Sequence, residues 1–203
     1  EEGNGSCDGP AMVTCKSERL TVLSCLGPQG CRKGNKDDVL CDRSIAKEGE
    51  ACDGKGSACT PEKDAFLECE QGKFTRALGC RGPEACKVAG KQVFCDASLA
   101  RVGDPCNEEG AGACSEDKLE LLMCKEKKFV TSLSCRGADK CAQAPAGVSC
   151  DGSIAREGDL CSQDGTAACG EDGKDFLRCA GGKMKKESVC RECKVEGDDI
   201  LCR

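Results

Sequence analysis

Cysteine recurs along this chain in one fixed pattern, and no other feature constrains the fold as strongly. Three consecutive segments hold six cysteines each, with nine residues between the second and third cysteine and ten between the third and fourth. These cysteines are Cys52, Cys59, Cys69, Cys80, Cys86 and Cys95, then Cys106, Cys114, Cys124, Cys135, Cys141 and Cys150, then Cys161, Cys169, Cys179, Cys190, Cys193 and Cys202. Internal repetition of this kind predicts tandem modules, each too small to fold without disulfides.

A shorter version of the pattern precedes these segments, with Cys7, Cys15, Cys25, Cys31 and Cys41. We therefore predict four disulfide modules, at residues 1–44, 45–98, 99–153 and 154–203. Six cysteines allow fifteen different pairings, so the spacing leaves the connectivity open.

The rest of the composition explains why the modules need disulfides. The 203 residues include no tryptophan, no tyrosine and only five phenylalanines. So few large apolar side chains cannot offset the conformational entropy that the chain loses on folding. Because disulfides persist in oxidising compartments, we predict a secreted protein or one on the extracellular cell surface.

Each module reads as a set of short strands. In the second module, a strand over residues 66–69 and a turn over residues 70–73 precede a strand that begins at Phe74. Phe74 and Leu78 are an even number of residues apart. In a regular strand, side chains at this spacing lie on the same face, so we predict that these two share a face. A third strand is predicted at residues 93–95, next to the last cysteine of the module.

The connections between modules repeat as closely as the modules do. Each one reads Cys-Asp-x-Ser-[Ile/Leu]-Ala-x-x-Gly-[Asp/Glu]-x-Cys, at residues 41–52, 95–106 and 150–161. A flexible linker would be rich in glycine and serine and would vary in length. We call these segments joints and predict that they are ordered, with the serine capping one helical turn and the glycine ending it. The predicted fold class is small, disulfide-rich and mostly β, with four tandem modules of short antiparallel strands in an elongated, semi-rigid array.

The joint pattern, followed by Cys-[Arg/Leu]-Gly-[Pro/Ala]-x-x-Cys, resembles the cysteine-rich tandem repeats of secreted and lipoprotein-type proteins of myxobacteria and related bacteria. The resemblance covers residues 7–203 and implies a bacterial protein that is disulfide-bonded and located at the cell surface. A lipoprotein would begin at a lipidated cysteine, whereas this sequence begins at Glu1. We therefore expect a mature chain whose leader has been removed.

An odd number of cysteines, 23, leaves at least one without a partner in the chain. The first module has five cysteines, and Cys7 stands either for the second repeat cysteine or for the first. The second alternative rests on Glu2-Gly3, which precede Cys7 as Glu48-Gly49 precede Cys52. We predict that Cys7 is the odd residue and that the other cysteines form disulfides. In a secreted protein an unpaired cysteine either forms an interchain disulfide or remains a free thiol.

Several kinds of chemistry are disfavoured by residue type. The chain has no histidine, which excludes Ser-His-Asp and Cys-His catalysis and histidine–metal sites. Cys190 and Cys193 form a CxxC sequence, which we interpret as two disulfide cysteines brought closer by a three-residue deletion. Modules of this size have little interior for an active-site pocket. We therefore predict no enzymatic activity, no metal and no cofactor.

Charge and hydropathy limit the partners. The net charge is −6, and no module carries a basic run, which argues against nucleic acid. No apolar stretch approaches the roughly 20 residues that span a bilayer. Repetition with ordered joints favours a structural protein of the cell surface or of an extracellular filament, with self-association as a homopolymer or disulfide-linked oligomer. The alternatives are an adhesin or ligand-binding module that contacts cell-surface components, and an array of protease inhibitors.

Overall fold

The computed structural model describes residues 5–16, 19–34, 38–90, 92–144, 147–197 and 199–203 of the chain. The regular elements in these ranges are all β-strands, and none of the ranges holds a helix that is long and apolar enough to cross a membrane. The strands are β1 (Gly5–Asp8), β2 (Ala11–Lys16), β3 (Arg19–Ser24), β4 (Cys31–Lys33), β5 (Val39–Cys41), β6 (Ser57–Cys59), β7 (Ala65–Glu70), β8 (Lys73–Gly79), β9 (Cys86–Ala89), β10 (Gln92–Cys95), β11 (Leu99–Ala100), β12 (Gly112–Ser115), β13 (Glu120–Lys125), β14 (Lys128–Ser134), β15 (Cys141–Ala144), β16 (Gly147–Cys150), β17 (Ile154–Ala155), β18 (Ala167–Gly170), β19 (Asp175–Ala180), β20 (Lys183–Val189), β21 (Cys193–Glu196) and β22 (Asp199–Cys202).

In each module three strands form an antiparallel sheet and two more form a separate hairpin. The sheets are β1-β2-β3, β6-β7-β8, β12-β13-β14 and β18-β19-β20, and the hairpins are β4-β5, β9-β10, β15-β16 and β21-β22. The last two sheets gain a parallel fourth strand from a joint, because β11 pairs with β12 and β17 pairs with β18. The predicted small, disulfide-rich and mostly β fold is confirmed.

The chain divides into two compact units, Glu1–Ala97 and Ser98–Arg203. The first unit holds the first two modules and the joint at residues 41–52. The second unit holds the last two modules, most of the joint before the third module and the whole joint at residues 150–161. Each unit is described by itself.

The disulfides follow one connectivity throughout the described residues. The first cysteine of a module bonds the third, the second bonds the fifth, and the fourth bonds the sixth. The pairs are Cys52–Cys69, Cys106–Cys124 and Cys161–Cys179, then Cys7–Cys31, Cys59–Cys86, Cys114–Cys141 and Cys169–Cys193, then Cys25–Cys41, Cys80–Cys95, Cys135–Cys150 and Cys190–Cys202. Cys190 and Cys193 therefore bond to different partners, as expected for two disulfide cysteines of a shortened loop.

The prediction that Cys7 is the odd cysteine is wrong. Cys7 bonds Cys31, and the free cysteine is Cys15. The physical reason is that strand β1 places Cys7 opposite Met12, just as β6 places Cys59 opposite Phe66. Cys7 is thus the second cysteine of its module, and the missing cysteine is the first.

The predicted hairpin of the second module is confirmed, but its alternation is interrupted. β7 and β8 meet at Gln71 and Gly72, whose φ angles of 51° and 78° suit a two-residue hairpin turn. An extra residue in β8 forms a β-bulge, so Leu78 lies opposite Phe66 and on the other face of the sheet from Phe74. The prediction that Phe74 and Leu78 share a face is therefore wrong. The first module has one residue fewer between its third and fourth cysteines, and no bulge interrupts its β2–β3 pairing.

The joints are ordered but extended, so the predicted helical turn is wrong. Ile45 pairs with Cys59 in a parallel bridge, as β11 and β17 do at the equivalent places in the later modules. An extended backbone lets the joint hydrogen-bond to strand edges, which a helical turn could not do. The glycines do take the predicted left-handed conformation, with φ angles of 84°, 89° and 91° at Gly49, Gly103 and Gly158.

The loop between the fourth and fifth cysteines is held against the aspartate that opens the next joint. In the third module, Gly137 N donates to Asp151 O at 2.9 Å, and Asp151 N donates to Lys140 O at 2.8 Å. The Asp151 carboxylate accepts from Asp139 N at 3.1 Å and from Ser153 N at 3.0 Å. Burial raises the pKa of Asp151, but its hydrogen bonds outweigh burial and hold this pKa below its usual value.

This arrangement gives the fold a pH dependence of known sign. A carboxyl whose pKa is lowered on folding stabilises the fold above its unfolded pKa of about 3.9, and the effect is lost as pH falls through the lowered value. We expect Asp151→Asn to lower the free energy of unfolding at pH 7 by about 1 kcal/mol and to reduce the loss of stability below about pH 4. Urea unfolding at pH 7 and at pH 3, followed by circular dichroism, measures both effects. An unchanged pH profile in the variant would contradict this role.

Candidate interaction site on the first module

One face of each three-stranded sheet is covered by a joint in the second, third and fourth modules. We call it the joint-side face. In the second module it is formed by Ala58, Leu67, Cys69 and Phe74. The joint adds Ala46 and Cys52 to the same cluster, and the Cys52–Cys69 disulfide fixes the joint to the sheet. As a result Leu67 is 0% exposed and Phe74 is 2% exposed.

The joint reaches this position by crossing from one edge of the sheet to the other. Ala46 N donates to Cys59 O at 3.0 Å on the edge strand β6. On the opposite edge, β8, Gly49 N donates to Phe74 O at 2.8 Å and Phe74 N donates to Glu50 O at 2.9 Å. Both sheet edges therefore use the joint to satisfy backbone groups that would otherwise face water.

The same arrangement recurs in the second unit. In the third module the cluster is Ala100, Cys106, Ala113, Leu122, Cys124 and Phe129, and in the fourth it is Ala155, Cys161, Ala168, Leu177, Cys179 and Met184. The edge hydrogen bonds recur as well, with Gly103 N to Phe129 O at 2.8 Å and Gly158 N to Met184 O at 2.8 Å. Three modules of this chain thus bind a joint in one way.

The first module presents the same face without a joint in the described residues. Cys15 lies opposite Leu20, just as Cys69 lies opposite Phe74. Leu20 is 76% exposed where Phe74 is 2% exposed. Cys15 is half-buried and is the free cysteine, because residues 1–203 hold no first cysteine of this module. We call Val13, Cys15, Leu20 and Val22 the open face.

The open face is more apolar than its counterparts at one position, that of Val22, although Ser6 stands where they have a buried alanine. Val22 lies opposite Val13 and is 65% exposed. The equivalent strand positions in the other modules hold Arg76, Thr131 and Lys186, each opposite the central leucine of its sheet. An exposed valine where the covered modules use polar side chains is typical of a contact surface.

Within the second unit, the third module is bound to the joint of the fourth. Arg136 Nε donates to Asp159 Oδ2 at 2.7 Å, and Arg136 lies 3.6 Å from Glu171. The hydrogen bond to Asp159 and the charges of both carboxylates raise the pKa of Arg136 despite its partial burial. In the first module Leu26 occupies the equivalent position and is 36% exposed.

A cleft of about 750 Å³ lies in the second unit, between the third module and the hairpin of the fourth. Its apolar lining comes from Leu133, Ile154, Leu160, Met184, Val195 and Ile200. In the described part of the chain, no group of three or more histidine, cysteine or acidic residues is arranged to hold a metal ion.

Comparison with known proteins gave no match: no protein-family model, no curated protein and no solved structure is significantly similar to this chain.

Proposed function

We propose that this chain is a non-enzymatic structural protein of the cell surface or of an extracellular filament, which self-associates through its repeat modules and needs no cofactor. The observation that carries the proposal is the open face of the first module, with its free Cys15 and exposed Leu20. Three equivalent faces in the same chain are closed by disulfide-bonded joints. A repeat array with one such face left open is suited to further addition of modules.

Two further observations support this proposal. Among the described residues, eleven disulfides are present, which is typical of proteins in an oxidising compartment such as the outside of a cell. The joint at residues 150–161 is fixed to its neighbours by backbone pairing, by a disulfide and by the Arg136–Asp159 ion pair. Ordered connections of this kind transmit force better than flexible linkers do.

The proposal predicts that Cys15 is bonded to another polypeptide in protein isolated from its natural source. We expect one disulfide-linked species of higher mass than the monomer on a non-reducing gel, because a single free cysteine can join only one further polypeptide. This species should collapse to the monomer on reduction, and peptide mass mapping should place Cys15 in an interchain disulfide. A Cys15→Ser variant expressed in the same source is the matched control and should abolish the linked species. Monomers with an unmodified Cys15 thiol would overturn the structural role.

That outcome would favour ligand binding as the second candidate function. The observation in its favour is the cleft of about 750 Å³ in the second unit, which is lined by both apolar and polar side chains. A cleft of this size, with several apolar walls, is typical of a small-molecule site. An adhesin or ligand-binding protein would use this cleft as a monomer and would leave Cys15 without a role in assembly.

A further inference from the structure

The open face of the first module is a ready-made binding site, because the other modules show what such a face binds. We propose that it accepts a joint-type segment, Ser-[Ile/Leu]-Ala-x-x-Gly-[Asp/Glu]-x-Cys, from outside residues 1–203, and that Cys15 forms a disulfide with the cysteine of that segment. The inference goes beyond the proposed function, because it names the segment that the open face binds, and that segment is not one of the three joints in residues 1–203.

The occupant comes from outside residues 1–203. The three joints in this sequence each cover a face within the chain, and their cysteines bond Cys69, Cys124 and Cys179. To reach Cys15, one of these joints would have to break its own disulfide and expose its own sheet. A joint-type segment from outside residues 1–203 carries no such penalty.

Backbone pairing on both edges of the first sheet supplies the first part of the recognition. The sheet order is β1-β2-β3, so β1 and β3 are its edges. In the covered modules the joint pairs in parallel with the first strand and hydrogen-bonds to the third. No described residue makes these contacts with β1 or β3 in the first module. An incoming extended segment gains the same hydrogen bonds by strand addition.

Side-chain packing supplies the second part. The joint alanines, Ala46, Ala100 and Ala155, are at most 3% exposed where they contact their sheets. The alanine of an incoming segment would bury Val13 and part of Leu20 in the same way. The exposed Val22 extends the apolar contact beyond that of the covered modules, which compensates for the smaller side chains of the first sheet.

The covalent step is a thiol–disulfide exchange. The Cys15 thiolate attacks the sulfur of the segment's cysteine while that cysteine is in a mixed disulfide with a small thiol. The new S–S bond forms as the old one breaks, and the small thiol leaves with the electron pair and takes up a proton. No further oxidant is needed, because the mixed disulfide already carries the oxidising equivalents.

A peptide with the sequence of residues 153–161, its cysteine linked to nitrothiobenzoate, tests the proposal on the full chain. Release of the coloured thiolate measures the exchange, and mass mapping shows that Cys15 is the residue modified. We expect at least about tenfold faster release than with a scrambled peptide that keeps the cysteine in place, because binding raises the local concentration of the disulfide. Hydrogen exchange should slow at residues 5–24 in the adduct.

Variants separate recognition from simple thiol reactivity. Leu20→Gln should remove the preference for the joint peptide, while the rate with free nitrothiobenzoate disulfide should stay within about twofold, which also reports that the module is folded. Leu40→Gln, on the hairpin strand β5 at 44% exposure, is the matched control and should keep the preference. Equal rates for the two peptides, or a Cys15–Cys15 dimer that forms despite excess peptide, would overturn the proposal. A preferred joint peptide together with a monomeric protein in the natural source would leave this inference standing and overturn the structural role.

Discussion

Replacing Cys52 and Cys69 with alanine is expected to lower the free energy of unfolding of the second module by about 3 kcal/mol. The bond closes a loop with a sequence separation of 17, and cross-links of this length stabilise mainly by restricting the unfolded chain. It also holds the joint over Leu67 and Phe74, which are buried only because the joint covers them. We therefore expect these side chains to become accessible as they are in the first module.

Hydrogen exchange with mass spectrometry is the suitable measurement, because the chain has no tryptophan or tyrosine to report unfolding by fluorescence. Amide protection in β6, β7 and β8 should fall by about 100-fold, the equivalent of about 3 kcal/mol. Cys15→Ala is the matched control, since its thiol forms no disulfide, and it should change protection by less than about 0.5 kcal/mol. If both variants changed protection equally, the joint would contribute nothing to the module's stability.

Gly137→Ala is expected to destabilise the second unit by about 3 kcal/mol. A Cβ at this position would lie 2.0 Å from Cγ of Asp151, far inside van der Waals contact. The Asp151 carboxylate cannot move away without losing its hydrogen bonds from Asp139 and Ser153. The added methyl therefore destabilises the fold in two ways. It clashes with Asp151, and any movement of Asp151 that relieves the clash leaves backbone N–H donors unsatisfied.

Gly152→Ala provides a control only one residue from Asp151. Its added Cβ would lie 3.7 Å from the nearest atom, Ser134 O, which is an ordinary contact. We expect a change below about 0.5 kcal/mol in urea unfolding for this variant. The double variant Gly137→Ala/Asp151→Ala removes the clash, so it should be more stable than the sum of the two single changes. Strict additivity would show that the two side chains do not compete for the same space.

The sequence predicted the modules and the hairpin around Gly72, because cysteine spacing and turn residues are local signals. It left the disulfide connectivity open, since pairing depends on which strands lie together. The odd cysteine was predicted as Cys7 although a local signal pointed to Cys15. Gly-x-Gly-Ser stands directly before Cys7 and, with one alanine between, before Cys59. This similarity indicates that Cys7 is the second cysteine of its module and that Cys15 lacks its first.

The joints show why the open face could not be predicted from the sequence. Their serine and glycine suit a helical turn, yet the sheet edges offered by β6 and β8 favour an extended segment. Tertiary hydrogen bonding here outweighs local preference. Leu20 and Val22 look like ordinary strand residues until the register places them opposite Cys15 and Val13. Only then does their exposure become informative.

The disulfide connectivity also determines how each module responds to pulling at its two ends. A force applied at Cys52 and Cys95 passes through the Cys52–Cys69 bond, along the backbone to Cys80, and through the Cys80–Cys95 bond. Only the eleven residues from Cys69 to Cys80 are stretched along this path, and they extend to about 40 Å. Without the disulfides, the 43 residues from Cys52 to Cys95 would extend to about 150 Å.

The third and fourth modules have the same short path, since ten residues separate the third and fourth cysteines in each. A module of this kind can lose its sheets under tension and still extend no further than this short path allows. The constant spacing that first revealed the repeat therefore sets the maximum extensibility of every complete module, independently of how stable its small core is.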